Sequence, residues 1–173
     1  MNEPAADNQP CWNFVVELYA KPGVSQACLE LQDRLGVDVS FLLTVLFYAK
    51  LRNIDPSVEQ IASLDRSVST WRDQVIIPLR ALRRRVKTSG LLNSPTDEFY
   101  RRIKADELLA EQLEIGTLAQ RLEQTQAKQS ISRLKRDVIE RVVKYFAGSS
   151  GQHAYLGDAG IQHAISTLHD SAC

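Results

Sequence analysis

Strand signals are all but missing from this chain. No run alternates apolar with polar residues between Asn-Gly or Asp-Gly turns, which argues against a sandwich, a barrel or any fold built from hairpins. Cysteine is scarce. Cys11, Cys28 and Cys173 are odd in number and have no paired spacing, which excludes a disulfide scaffold and fits a reducing cytoplasm. Cys28 reads as a small buried apolar residue on a helix. Histidine is confined to the last segment, as His153, His163 and His169. None forms His-x-x-x-His or Glu-x-x-His, so a di-iron bundle lacks its ligands and no metal or other cofactor is assigned. His169 and Cys173 are four residues apart, but at the end of the chain they read as solvent-exposed. No Gly-x-Ser-x-Gly elbow is present, and Gly148-Ser149-Ser150-Gly151 follows no strand and lacks the Lys-Ser/Thr of a phosphate loop. No catalytic constellation remains, so the reading leans away from an enzyme. Long apolar runs are missing too. Val39 to Ala49, broken by Ser40 and Thr44, is about half a membrane span, so no membrane insertion is expected. The start Met1-Asn2-Glu3-Pro4 has neither a basic segment nor an apolar one, so no secretory signal is expected. Net charge is absent as well: 21 Lys and Arg balance 21 Asp and Glu, which argues against a polybasic nucleic-acid protein.

What is present is helical periodicity. The 173 residues are 44% apolar and 24% charged, enough for one domain with a real core. The spacing predicts an all-α bundle of six or seven helices over 11–147, after a flexible start (1–10) and before a tail (148–173). Trp12, Val15, Val16 and Tyr19 mark a helix over 11–20, stopped by Pro22-Gly23. Ala27, Cys28, Leu31 and Leu35 mark a second, with Gly36 as its C′ residue. Asp38 caps a third, 39–51, apolar over more than half its circumference and therefore central. Asp55-Pro56 opens a short fourth. A fifth spans 65–87 with a stripe of Trp71, Val75, Leu79, Leu82 and Val86, and Pro78 should kink it near Gln74. Ser94-Pro95 restarts the chain into a long helix, 96 to about 127. Ser130 introduces a last one, 131–146, with Ile131, Leu134, Val138, Val142 and Tyr145 on its stripe. The tail is poor in charge and rich in Gly, Ser, Ala and His. It reads as loose or marginally helical over 159–168, and its deletion is expected to cost little stability.

Charge is patterned although the total is zero. Residues 65–104 carry net +6, residues 105–124 net −4 and residues 125–147 net +4. Arg80, Arg83, Arg84 and Lys87 fall within an arc of about 100° opposite the apolar stripe. They have no acidic residue at i±4. Such an arc docks an acidic protein surface, a phosphate backbone, or this chain's own Glu107 and Glu111 across an antiparallel helix pair. Trp71 and Trp12 read as core packing or as anchors for a partner. Glu107, Glu111 and Glu114 share one helical face. They read as a solvated acidic face, or as Mg²⁺ ligands of an enzyme on an anionic or prenyl substrate, for which the second aspartate-rich repeat is missing.

Two blocks are familiar. Trp12-x-Phe14, Tyr19, Pro22-Gly23-Val24, Cys28-Leu29-x-Leu31-Gln32 and Gly36-Val37-Asp38-Val39 form the first. Trp71-Arg72-x-x-Val75, Pro78-Leu79-Arg80 and Arg83-Arg84-x-x-Lys87 form the second. Over roughly 11–128 the chain resembles a family of small proteobacterial proteins catalogued as a domain of unknown function. It departs from the pattern at Ser40, where the family usually has Asn. The resemblance implies a helical bacterial cytoplasmic protein and brings no activity, cofactor or catalytic residue.

The reading that results is a non-enzymatic interaction or regulatory module. It docks an acidic partner through Arg80, Arg83, Arg84, Lys87 and Trp71 on the basic face of helix 65–87. Nucleic acid on the same face is the alternative, and the Mg²⁺-dependent enzyme the third. Replacing the arginines is expected to weaken capture without changing thermal unfolding. The apolar third and seventh helices are also compatible with a homodimer.

Overall fold

The computed structural model describes residues 9–88, 96–125 and 136–173. Its helices are α1 (Gln9–Tyr19), α2 (Val24–Leu35), α3 (Val39–Leu51), α4 (Val58–Trp71), α5 (Ile77–Thr88), α6 (Asp97–Glu123), α7 (Arg136–Ser149) and α8 (Ala159–Ala172). A π turn, Arg72–Ile76, joins α4 to α5, and a 3₁₀ turn, His153–Tyr155, precedes α8. No strand occurs among the described residues, so the chain is all-α, a helical bundle. The restart at Ser94-Pro95, the Ser130 cap and the stripe members Ile131 and Leu134 lie outside the described residues.

Helix α3 is the axle. Ser40 through Ala49 are all buried, because an apolar surface this broad needs neighbours on every side. It packs against α1, α2, α6 and α7. Asp38 starts it as expected, its Oδ1 accepting from Phe41 N–H at 3.0 Å. Gly36 closes α2 at φ 69°, a left-handed conformation that glycine adopts without strain. Its N–H returns to the carbonyls of Leu31 and Gln32. Among the described residues, the apolar surfaces of α3 and α7 pack into the core of the one chain.

Three expectations are corrected. The C-terminal segment is not loose. Ile161, Ala164, Ile165, Leu168 and Ala172 recur at helical spacing and are buried, mainly against α2. This stripe is built partly from alanine, which hides it in a composition reading. Asp158 caps α8 by accepting from Gly160 and Ile161 N–H, and it also pairs with Arg34 at 2.8 Å. Lys21 donates to the carbonyl of Ser171 and Lys50 to that of Ala172. One core therefore runs from Cys11 to Ala172, with no boundary at 148.

Second, the short fourth helix and the fifth are one rod. It begins at Ser57, not at Asp55-Pro56, because Ser57 and Gln60 form a reciprocal capping box. Asp55 is instead paired with Arg141.

Third, α5 is turned relative to the sequence reading, so that Arg80 and Arg83 leave the outer arc and face inward while Arg84 and Lys87 stay exposed. Pro78 has no N–H to give the carbonyl of Gln74, and the wide turn stands immediately before it. Ile77 N–H bonds back to Arg72 O, five residues away. A π turn holds about one residue more than an α turn, so everything after it is rotated by about 100°. The inward stripe of Ile61, Leu64 and Val68 therefore continues through Arg72, Ile76, Arg80 and Arg83. Leu82 is exposed, Leu79 is half-buried, and α5 buries no residue completely.

Candidate functional site

Helix α6 runs antiparallel to the rod, and two layers of charge tie them together. In the outer layer Arg80 reaches three acceptors. Its Nε donates to Glu107 at 3.1 Å, its Nη2 to Glu111 at 2.7 Å and its Nη1 to Gln32 of α2 at 2.9 Å. Arg83 donates from Nε and Nη2 to the same Glu107. Glu107 is 6% exposed, so the acidic face expected to be solvated is buried and neutralised by arginine. Burial opposes the charge of Arg80, but Glu111 and Glu107 outweigh it and its pKa is raised. Glu111 is pushed upward by burial against the pull of Arg80. These guanidinium groups stand where a Mg²⁺ ion on Glu107 and Glu111 would have to sit. Among the described residues no group of three or more potential metal ligands exists.

The inner layer was not foreseen. Arg72, the first residue of the π turn, bonds Asp38 at 2.9 Å and lies 2.8 Å from Asp65. Tyr145 of α7 donates to the other oxygen of Asp65 at 2.9 Å. The Arg72 guanidinium also rests over the ring of Phe146, 5.5 Å from its centroid. Glu114 is 2% exposed, and its Oε1 has no donor among the described residues. Burial first, and the neighbouring Asp38 second, push its pKa to about 10. Burial and the nearby Asp38 both favour the protonated form of Glu114. Asp38 thus holds α3, the π turn and α6 at once. The position of Arg72, four residues after Val68 on an inward stripe, was the signal that could have revealed this layer.

Beside the outer layer lies an open cleft of about 560 Å³. Helix α1 contributes Trp12, Val15, Val16, Tyr19, and Ala20 follows just after it; α2 gives Leu29 and Gln32; α3 gives Val39, Ser40 and Leu43. Arg80, Arg83 and Arg84 of α5 face Lys104, Glu107, Leu108, Glu111 and Ile115 of α6. The walls are apolar. Four cationic side chains stand against two carboxylates, so the lining carries an excess of positive charge.

The expected docking residues are not one surface. Arg80 and Arg83 are held inside the seam. Arg84 is half exposed and meets Asp33 at 3.4 Å, a contact too long and too wet to neutralise it. Lys87 is exposed one turn further along α5. Trp71 donates from Nε1 to the carbonyl of Ala110 at 3.0 Å; the residue is 39% exposed and does not line the cleft. Trp12 packs against the core, and Cys11 and Cys28 are buried free thiols whose pKa values burial raises to about 12.

Fold and site together define an all-α bundle in which an arginine-seamed helix pair walls an apolar cleft. The chain belongs to the family described as "Protein of unknown function (DUF2390)", whose model matches residues 10–118. No curated protein and no solved structure matches it. The matched segment contains every residue that lines the cleft, from Trp12 to Ile115, and stops before α7 and α8, which complete the core. No helix among the described residues is long and apolar enough to cross a membrane.

Proposed function

We propose that this chain is a non-enzymatic binding module that receives an acidic protein partner at the cleft side of α5. The observation that carries the reading is the cleft: apolar walls, a surplus of positive charge, and a rim where Arg84 and Lys104 are exposed. The partner contacts are narrower than the sequence pattern suggests. Arg80 and Arg83 are committed to Glu107 and Glu111 and hold the wall in place. Arg84, Lys87 and Lys104 are the cations that meet carboxylates of the partner. The apolar walls take a side chain inserted between them, the usual way a small interface gains affinity. A reducing cytoplasm suits the free thiols of Cys11, Cys28 and Cys173. The Mg²⁺-dependent reading is set behind this one, because Arg80 and Arg83 already pair with Glu107 and Glu111.

The test is capture and cross-linking with the wild-type chain and an Arg84→Glu, Lys87→Glu, Lys104→Glu variant, each with and without nuclease. The reading expects an acidic protein cross-linked at Lys87 or Lys104 and at least tenfold less of it with the variant. Equal capture by both chains refutes it. Capture that vanishes with nuclease gives the face to nucleic acid instead, and a binding constant falling steeply with salt would then count the phosphates contacted.

A further inference from the structure

We propose that the cleft is also a small-molecule site and that it takes a single-chain amphiphile with a carboxylate head. Four of the large apolar side chains exposed among the described residues line this cleft. Val16, Tyr19, Leu29 and Leu108 come from three helices and turn toward the same concavity. They are exposed there because the cleft is open, and an apolar chain laid between them removes their surface from water. The cleft volume of about 560 Å³ lies within the range of small-ligand sites, about 300–1,000 Å³. The head is selected by charge. Glu107 and Glu111 are already bound by Arg80 and Arg83, so an entering anion meets no bare carboxylate. Arg84 and Lys104 then stand at the rim with donors to give. A cationic head finds no acceptor of comparable strength, and a neutral head leaves these charges unused. The proposal rests on the reading of the cleft as the binding seat, but not on the identity of the protein partner.

The experiment is calorimetric titration of the full chain with octanoate, decanoate and dodecanoate as monomers, with decanol and decyltrimethylammonium as controls. Affinity should rise about fourfold per methylene until the cleft is full. Decanol should bind about ten- to a hundredfold more weakly than decanoate, the worth of a charge-assisted contact. Two variants locate the site. Val16→Trp fills the concavity from an exposed position and should abolish binding with the fold intact by circular dichroism. Arg84→Gln with Lys104→Gln should erase the preference for decanoate over decanol while leaving the chain-length dependence. Absence of saturable carboxylate binding, equal affinity for decyltrimethylammonium, or unchanged binding by Val16→Trp each overturns the proposal. A chain that captures its acidic protein but no amphiphile removes this inference alone. One that binds decanoate but cross-links no protein removes only the reading above.

Discussion

Glu114→Gln should flatten the dependence of stability on pH, and the effect can be worked out from the inner charge layer. Unfolded, Glu114 titrates near its ordinary value of 4.5; folded, burial and Asp38 hold it near 10. Between those limits the native chain keeps a proton that the unfolded chain releases. The native state binds more protons, so stability falls as pH rises. The contribution of Glu114 is complete below pH 4.5 and lost by about pH 10. Across that window one proton is worth about 1.4 kcal/mol per pH unit. From pH 6 to pH 8 this amounts to about 3 kcal/mol, or about 5–10 °C in Tm for a chain of this length. Glutamine keeps a donor for Asp38 and cannot ionise. The assay is thermal unfolding of both chains at pH 5, 6, 7 and 8, followed by circular dichroism. The variant should match the wild type near pH 5 and exceed it increasingly at higher pH. A variant whose Tm runs parallel to the wild type at every pH would show that Glu114 is not the group holding the proton.

Other consequences are quicker to state. Leu168→Ala should cost about 2–5 kcal/mol in urea unfolding, because Leu168 is fully buried between α8 and its neighbours; a loss under about 1 kcal/mol would mean that α8 does not dock. Arg80→Ala should destabilise by about 2–3 kcal/mol, since it leaves the largely buried Glu111 unpaired and Glu107 with Arg83 alone, whereas removing an exposed pair costs almost nothing. This reverses the expectation that the arginines can be removed without changing unfolding; an unchanged Tm would free Arg80 to act on a partner after all. Gly36→Ala should cost about 1–2 kcal/mol, because φ is +69° and the added carbon would lie 3.3 Å from Ser150 Cβ; denaturant midpoints with an unchanged slope check it.

How much of this could be read from the sequence differs from helix to helix. α2 and α3 were legible because their signals are local: a capping aspartate, a closing glycine and an apolar surface that cannot face water. The α8 dock was not, because Ala164 and Ala172 count as weak apolar residues until a complementary groove on α2 is known. The charge seam was half legible. Opposite charges on 80–87 and 107–111 suggested each other, and Arg80 does meet both glutamates. Which arginine turns inward could not be counted correctly, because the helical period was carried unbroken past Arg72. The Asp38–Glu114 contact joins residues far apart in the chain, and nothing local marks either partner as more than a cap or a surface acid. The cleft belongs to five helices at once and has no sequence signature of its own.

The π turn makes the identity of the wall facing the cleft a matter of counting. Deleting a single residue between Arg72 and Ile77 would restore an ordinary helical period and turn the rest of α5 back by about 100°. Leucines would then close the cleft and the arginines would look outward, leaving Glu107 and Glu111 buried beside hydrocarbon. An indel of one residue would thus do here what several substitutions could not: invert the chemistry of a whole surface without altering its composition.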